Sequence, residues 1–302
     1  MISESKLIDL YNKGIPIREL ARKFKIYRPK IRKILNNNNI KIRDSRTAMI
    51  SMGYIKEKKK FNLSSKEKAY LYGLVIGDVT PVKKSKYTLK LITQTTHIEL
   101  AELLCKLFKK YGPTSYKPNR NNEFRFQAFV DLDSFSFLLE AEKEKIPYWI
   151  NKTNLFDFLA GFIDSDGSIM IRKTDVYFQF IIRFFGENLS LLKEIKRRLE
   201  EKGYNLSMHK NHSKGDFSYH NGKMIKYNKD YHALEIQRRQ QVLDLLNKLP
   251  IKHREKQSKK KLIFSIAKRK LKYWKDVKKE VKELKALIEK SVKLKKNLED
   301  LS

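Results

Sequence analysis

The 302-residue sequence contains a single cysteine, Cys105, and no long uninterrupted run of apolar residues. One cysteine excludes an internal disulfide and suits a reducing compartment. No apolar run approaches the roughly 18–20 residues of a membrane-spanning helix, and no charged-then-apolar signal segment opens the chain. The sequence therefore predicts a cytoplasmic protein that does not associate with a membrane.

Acidic residues are also scarce relative to basic ones. The chain has 67 Lys and Arg against 34 Asp and Glu, a formal net charge of +33. An excess of this size favours binding to phosphate-rich polymers and accelerates encounter with them. The charge therefore predicts that the partner is a nucleic acid.

Residues 1–45 have apolar positions at helical spacing, which predicts three short helices. Three such helices resemble a helix-turn-helix module, whose third helix enters the major groove of DNA. The residues that this helix would present are Tyr27, Arg28, Lys30 and Lys33. A helical bundle with merely solvated basic residues is the alternative, but the basic arm "IKIR" that follows favours DNA contact.

The remaining chain divides by pattern. Residues 46–64 are basic and aperiodic, which predicts a linker with one short helical piece. Residues 65–150 and 151–258 each follow the order helix, two strands, helix, two strands, helix, which predicts an α+β fold of two pseudo-symmetric αββαββα subdomains. Residues 259–302 alternate Lys and Glu around spaced Val and Leu, typical of one long amphipathic helix that packs on the body or pairs with another helix.

One helix in each half has glycine in its interior and aspartate at its end. The two segments are LYGLVIGDV and LAGFIDSDG, and their matching small residues are Gly73 with Gly161 and Gly77 with Ser165. Residues four apart share a helix face, so each helix has a strip of small residues that allows two backbones to approach closely. We expect these helices to pack on each other, which would offset a glycine cost of about 0.5–1 kcal/mol.

The eighth residue of both segments is an aspartate, Asp78 in the first and Asp166 in the second. If the helices pair in parallel, these carboxylates lie side by side at helix C-termini and repel each other. Such a pair calls for divalent cations, and hard carboxylate ligands suit Mg²⁺. Two acids, Mg²⁺ and basic surroundings favour attack of activated water on a phosphodiester. Aspartates that merely end two helices are the alternative.

The two segments resemble the motif of the LAGLIDADG homing endonucleases. LAGFIDSDG matches that motif at seven of nine positions, and LYGLVIGDV is a looser copy whose departures include Ile76 and Val79, at positions six and nine. The resemblance covers about residues 70–258 and is greatest to monomeric archaeal members with two motifs in one chain. It implies that Asp78 and Asp166 are the catalytic, metal-binding acids, that the motif helices form the interface between the halves, and that cleavage leaves short 3′ overhangs.

The same resemblance implies that the strands form a saddle in the major groove of a long, asymmetric double-stranded DNA site. Strand alternation places phenylalanines on one face and polar side chains on the other, and outward Arg and Gln can read base edges. An ordinary half-exposed sheet would alternate in the same way. The candidate DNA contacts are Lys90, Gln94, Arg125, Gln127, Lys173, Gln179, Arg183 and Gln237.

The family also has a polar or basic residue beside each metal. Gln94 resembles such a glutamine, and Lys256 is the candidate lysine for one half. Lys143 or Lys145 is the candidate for the other half, with a chance surface charge as the alternative for each lysine.

The sequence therefore predicts an intron-encoded, Mg²⁺-dependent DNA endonuclease that acts as a monomer. An intein would have a splice-junction cysteine at its start and His-Asn at its end. The sequence has neither, which favours a free-standing protein over an intein. The alternative is a non-cleaving binder on the same scaffold, either an intron RNA maturase or a transcription regulator with a helix-turn-helix. Retention of both aspartates favours the enzyme, because a pure binder has no need of acids beside phosphates. A coating protein would explain the charge but not the duplicated helices.

Overall fold

The computed structural model describes residues 3–53, 60–119, 123–141, 144–220 and 223–299. The chain divides into two compact units, Met1–Lys59 and Lys60–Ser302. Within the described ranges, no helix is both long and apolar enough to cross a bilayer. Residues 54–59 of the predicted linker and 300–302 of the predicted C-terminal helix lie outside the described residues.

The described part of the first unit is built from short helices. These are α1 (Glu4–Asn12), α2 (Ile17–Phe24), α3 (Arg28–Asn37) and α4 (Ser45–Ser51). Their apolar faces form one small core of Leu7, Tyr11, Leu20, Ile31, Ile34 and Leu35. The turn between α2 and α3 is short because Lys25 adopts the left-handed conformation, with φ 53°. The first three helices lie where the apolar spacing predicts them, and α4 is the helical piece expected after residue 45.

Arg43 has a structural role within this first unit. Its guanidinium carbon lies 4.1 Å from the ring centre of Tyr11, and its Nη2 donates hydrogen bonds to the carbonyls of Tyr11 and Ile15 at 2.6 and 3.1 Å. The backbone N–H of Arg43 donates to the Tyr11 hydroxyl at 2.7 Å. Part of the basic arm that was predicted to contact DNA therefore holds this segment against α1.

The second unit contains two halves with the same order of elements. The first half comprises α5 (Ser65–Gly77), β1 (Thr80–Ser85), β2 (Thr88–Thr95), α6 (Ile98–Phe108), β3 (Thr114–Pro118), β4 (Phe124–Asp131) and α7 (Leu132–Phe135). The second half comprises α8 (Leu155–Asp166), β5 (Ser168–Thr174), β6 (Tyr177–Gly186), α9 (Leu189–Glu200), β7 (Ser207–His212), β8 (Phe217–His220), β9 (Lys223–Lys226), β10 (Tyr231–Ile236) and α10 (Arg239–Lys248). They are followed by α11 (Arg254–Lys268) and α12 (Trp274–Glu299).

The two halves form equivalent four-stranded antiparallel sheets, in the orders β1-β2-β4-β3 and β5-β6-β10-β7. One face of each sheet packs on helices, since Leu89 and Leu91 in the first half and Phe180 and Phe184 in the second are buried. The apolar core runs through both halves as one continuous cluster. The predicted α+β fold of two αββαββα halves is confirmed.

Three local features differ from the sequence prediction. The helix expected at the end of the first half is only α7 followed by a 3₁₀ turn, Ser136–Leu138. The second half has an additional hairpin, β8–β9, between β7 and β10. The single C-terminal helix is two helices, because the chain turns at Lys270 with φ 56°, and the predicted boundary at residue 258 falls inside α11. Helix α12 packs back on the body through Val277 and Val281, which are both buried.

Helices α5 and α8 touch backbone to backbone because glycine occupies their contact. A Cβ added at Gly161 would lie 2.0 Å from the carbonyl oxygen of Tyr70, and one at Gly73 would lie 2.1 Å from a carbonyl oxygen of α8. A Cβ at Gly77 would lie 2.0 Å from the Ser165 hydroxyl oxygen. No side chain larger than hydrogen fits at these three glycines without moving the helices apart.

A buried hydrogen bond crosses the same contact. The Tyr70 hydroxyl on α5 donates to Asp164 Oδ2 on α8 at 2.6 Å, and the N–H of Lys252 donates to the same oxygen at 2.7 Å. Burial, and then the charge of Asp164, raise the pKa of Tyr70 well above its ordinary value, so the hydroxyl keeps its proton and remains a donor. The first motif has Ile76 at the position of Asp164, so this polar link occurs on one side only.

The substitution Gly161→Ala tests the close contact. We expect it to lower the free energy of unfolding by about 3 kcal/mol, because the helices must separate to admit the methyl group. Gly186→Ala is the matched control, since a Cβ there meets only a backbone nitrogen at 3.9 Å. Denaturant-induced unfolding followed by circular dichroism measures both variants. Wild-type stability in the Gly161 variant would contradict a glycine-dependent contact.

Candidate functional site

Asp78 and Asp166 lie at equivalent positions at the ends of the two touching helices. Asp78 is the C-terminal cap residue of α5, and Asp166 is the last residue of α8. Their preceding neighbours, Gly77 and Ser165, are in contact, and a Cβ at Gly77 would lie 3.3 Å from the backbone nitrogen of Asp166. Both aspartates line the same two clefts. The helix contact thus brings the two predicted acids together.

The two clefts differ in charge. The larger one, of about 520 Å³, lies between the end of β2, the start of α6 and α11, and its lining includes Gln94, Lys256 and Lys259. The smaller one, of about 330 Å³, lies against the second half and is lined mainly by apolar residues and Glu187. Among the described residues that line the smaller cleft there is no Lys or Arg. The surroundings of the aspartates are therefore asymmetric although the helices that carry them are equivalent.

Lys256 is buried beside the end of α8. Its Nζ donates to the backbone carbonyl oxygens of Ile163, of Asp164 at 3.0 Å and of Ser165 at 3.2 Å. These carbonyls belong to the last turn of the helix, which lacks further helical donors for most of them. Burial lowers the pKa of Lys256 to about 8, against nearby carboxylates that act to raise it, Asp164 foremost. All three ammonium protons have acceptors, so Lys256 positions the helix end that carries Asp166.

Of the other predicted active-site residues, Gln94 lies at a cleft beside the aspartates and Lys145 does not. Gln94 is exposed and lines the larger cleft. Lys145 is exposed in the loop before α8 and is not among the described residues that line either cleft, and Lys143 lies outside the described residues. Lys259, which the sequence analysis missed, lines the larger cleft and forms an ion pair with Glu255. Its position one helical turn after Lys256 is the signal that would have found it.

The candidate DNA contacts of the first half share the sheet face that points away from the core. The pairing of β2 with β4 places Gln94 opposite Arg125. Gln127 lies on the same face and donates to the Ser115 hydroxyl at 3.2 Å. Lys90 lies on this face with its ammonium 5.5 Å from the ring centre of Phe129. This face therefore presents a row of basic and amide side chains.

In the second half, one candidate lies on the opposite face. Lys173 pairs with Phe178, whose side chain points into the core, whereas Arg172 pairs with Gln179 on the outer face. The side chains of successive residues in a strand point to opposite faces of the sheet. A predicted DNA contact that is displaced by one residue therefore lies on the face opposite to the DNA-binding one. The prediction placed Lys173 on the wrong face, and Arg172 lies beside Gln179 instead.

Glu235 organises the outer face of the second sheet. It is only 1% exposed, and it accepts hydrogen bonds from Arg183 Nε and Gln237 Nε2, both at 2.6 Å. Arg172 Nη1 lies 3.9 Å from the same carboxylate. Burial acts to raise the pKa of Glu235, but the hydrogen bonds from Arg183 and Gln237 outweigh it, and the pKa lies below its ordinary value. Two candidate base-reading residues are thus already oriented by a buried acid.

The candidate DNA contacts of the first unit are all exposed around the start of α3. Tyr27, Arg28, Lys30 and Lys33 are exposed, with Tyr27 at 77%. A groove of about 790 Å³ beside them is lined by five arginines, Arg18, Arg22, Arg28, Arg32 and Arg43. The described part of this unit therefore presents concentrated positive charge on α2, on the N-terminal half of α3 and in the segment after α3.

Comparisons with known proteins identify relatives of the chain. Residues 159–237 match the family described as LAGLIDADG endonuclease. The uncharacterised protein MJ0314 of Methanocaldococcus jannaschii is 30% identical over 188 residues, which cover 59% of this chain and 69% of that protein. The uncharacterised protein MJ0398 of the same archaeon is 24% identical over 278 residues, covering 88% and 97% respectively.

Among solved structures, variants of the homing endonuclease I-DmoI share 16% identity with this chain. The match covers 63% of this chain and 93% of that one, with a TM-score of 0.40. The homing endonuclease I-GzeII in complex with its DNA target matches 72% of this chain and 96% of its own, with 15% identity and a TM-score of 0.42.

The substitution Lys256→Met tests the capping of α8. We expect it to lower the free energy of unfolding by about 2–4 kcal/mol, because buried carbonyls lose a charged donor. Lys261→Met, at an exposed position of the same helix, is the control and should change stability by less than about 0.5 kcal/mol. Equilibrium unfolding in urea compares the two. Equal stability of both variants would refute the capping role.

Proposed function

Because the chain belongs to the LAGLIDADG endonuclease family, we propose that it is a site-specific endonuclease that cuts both strands of a long, asymmetric DNA duplex. The observation that carries this proposal is the shared position of Asp78 and Asp166, which end two touching helices and line the same clefts. An intron-encoded monomer that acts in the cytoplasm and leaves short 3′ overhangs is the form of the enzyme that we propose.

The two aspartates fit a divalent cation such as Mg²⁺. Proteins hold Mg²⁺ with one or two carboxylates, while water and substrate phosphates supply the other ligands. Asp78 and Asp166 both line the same two clefts and can offer two carboxylates there. A bound Mg²⁺ supplies Lewis-acid chemistry that activates water toward a phosphodiester.

Residues of the larger cleft support the two acids. Lys256 holds the last turn of α8 through three carbonyls, which restrains the backbone of Asp166. Gln94 is exposed at the cleft, where its amide can donate to a phosphate or orient a water. Lys259 brings an ammonium to the same cleft and can approach the DNA backbone there. We therefore assign Lys256 a positioning role and Gln94 a role in contact with the substrate.

The outer faces of the two sheets provide the surface for reading DNA. Arginine can pair with guanine and glutamine with adenine through two hydrogen bonds each, in the major groove. The residues that we assign to this surface are Lys90, Arg125, Gln127, Arg172, Gln179, Arg183 and Gln237. Because Glu235 holds Arg183 and Gln237, less side-chain freedom is lost when these two bind a base edge.

A non-cleaving nucleic-acid binder is the second candidate, either an intron RNA maturase or a transcription regulator. It is favoured by the separate unit Met1–Lys59, whose α3 exposes Tyr27, Arg28, Lys30 and Lys33, the residues that a helix-turn-helix would present to the major groove. The two functions differ in their need for the aspartates, since only cleavage depends on Asp78 and Asp166.

The substitution Asp166→Asn separates cleavage from binding. We expect double-strand cleavage in Mg²⁺ to fall at least about 100-fold, because a cation ligand is lost. DNA affinity should stay the same or increase, because a negative charge beside the phosphates is removed. The substrate is a duplex that rejoins the sequences on either side of the gene, with cutting measured on gels and affinity by mobility shift in Ca²⁺.

The matched control for this experiment is Asp175→Asn. Asp175 is exposed in a turn with φ 51°, a conformation that asparagine adopts readily. This variant should cut at the wild-type rate. Cleavage by the Asp166 variant at the same rate as the control would refute the assignment of Asp166 as a catalytic residue.

Deletion of residues 1–59 tests the role of the first unit. We expect weaker DNA binding with cleavage retained, and a slope of log affinity against log salt that is shallower by about 0.9 for each DNA phosphate that this unit neutralises in the full chain. The double substitution Arg28→Ala with Lys33→Ala in the full chain should reproduce part of this weakening. Binding titrations at several salt concentrations make the comparison. Abolished cutting in the truncated chain would show that the first unit is part of the catalytic structure.

A further inference from the structure

Two buried side chains and one partly buried side chain, none of them on the motif helices, converge where α6 meets the start of α11. They are Glu99 in the first turn of α6, His253 just before α11, and Glu255 in the first turn of α11. One nitrogen or oxygen atom of each lies within 4.8 Å of the corresponding atoms of the other two. The cluster borders the larger cleft, because His253 and Glu255 line it.

His253 determines the chemical character of this cluster. Its side chain is 4% exposed, and its Nδ1 is buried without a hydrogen-bond partner among the described residues. The nearest carboxylate oxygen, Glu99 Oε2, is 4.0 Å away, too far for a hydrogen bond. Burial, and then the ammonium of Lys256, lower the pKa of His253 to about 3, so the imidazole is neutral at physiological pH. A neutral imidazole with a free ring nitrogen is the form that binds metals.

The positions of the two glutamates in first helical turns do not account for their burial. An acid in a first turn complements the positive end of the helix dipole and can do so while exposed to solvent. Glu99 is only 8% exposed, and the Glu255 side chain is 18% exposed. Two carboxylates this close repel each other. The Lys259 ammonium, which contacts Glu255, supplies one positive charge against these two negative charges. A divalent cation between them would neutralise both and would also satisfy His253.

We propose that Glu99, His253 and Glu255 form a binding site for a divalent transition-metal cation of the Zn²⁺ class, separate from the Asp78 and Asp166 pair. One imidazole nitrogen with two carboxylates is a ligand set that suits Zn²⁺, whereas Mg²⁺ prefers oxygen ligands alone.

His97 offers a fourth ligand at the mouth of this site. It precedes Glu99 by two residues, as His253 precedes Glu255, so the same His-x-Glu spacing occurs at the start of both helices. His97 is exposed and lines the same cleft. Rotation of its side chain, or a water molecule, would supply a fourth ligand.

The position of the site gives the cation a structural role. It would join α6 of the first half to α11, and α11 carries Lys256, which caps the helix that ends in Asp166. Cation binding at Glu99, His253 and Glu255 would therefore fix Lys256 and stiffen the connection between the halves. This role does not require the protein to cut DNA.

The experiment uses the full chain with Asp78→Asn and Asp166→Asn, so that the aspartate pair cannot contribute a site. After treatment with a chelator and reloading with Zn²⁺, elemental analysis should find about one Zn²⁺ per chain, and the thermal midpoint should rise with Zn²⁺ but not with Mg²⁺ at equal concentration. Adding Glu99→Gln or Glu255→Gln should abolish both effects. His209→Gln, which removes an exposed histidine outside the site, is the matched control and should leave them unchanged.

Several outcomes would overturn the proposal. These are failure of the aspartate-free protein to retain Zn²⁺, retention that survives both glutamate substitutions, and loss of Zn²⁺ in the His209 control. If the glutamate variants prove misfolded by circular dichroism, Co²⁺ is loaded into the aspartate-free protein instead. Visible and magnetic-resonance spectra should then show that a nitrogen atom binds the Co²⁺. Spectra without the signal of a nitrogen ligand would equally refute the site. Every measurement here reports metal binding by a protein without Asp78 and Asp166. A negative result would therefore not bear on the proposed endonuclease activity.

Discussion

The backbone contact between α5 and α8 is the constraint on which the rest of the second unit depends. Gly73 and Gly161 let carbonyl oxygens of one helix approach the Cα atoms of the other. The contact joins the cores of the two halves and brings the helix ends bearing Asp78 and Asp166 together. Carboxylates that share a cleft repel each other. The contact that stabilises the fold therefore also favours the binding of cations, on which the proposed chemistry depends.

Buried polar groups then make the two halves unequal. Tyr70 and Asp164 are hydrogen-bonded on one side of the helix contact, where the equivalent residue of the other motif is Ile76. Lys256 caps α8 and lines the larger cleft, whereas the smaller cleft has no cation among its described lining residues. A duplicated fold therefore presents different surroundings on its two sides, which suits an asymmetric target because each strand of such a duplex meets its own environment.

Local patterns predicted most of the fold but only part of the candidate site. Strand and helix periodicity is decided by neighbours in sequence, so the repeated αββαββα order and the small-residue strips could be read directly. The sheet face on which a residue near a strand end lies could not be read from the sequence. Lys173 was predicted to contact DNA, but Arg172 is the residue on the outer face. The pairing of Glu235 with Arg183 joins residues 52 positions apart in the chain, and nothing in the local sequence of either indicates it. The additional hairpin β8–β9 was missed for a related reason, because its strands are short and pair only with each other.

The sequence by itself determined the charge, the duplication and the two aspartates at matching motif positions. Those features depend on residue type and spacing, which folding does not change. Only the tertiary structure decided which lysine is buried against α8, which acid holds the arginines of the outer face, and which histidine lies beside Glu99 and Glu255. Such outcomes depend on burial and on long-range pairing, because a charged side chain removed from water must find partners wherever the fold brings them.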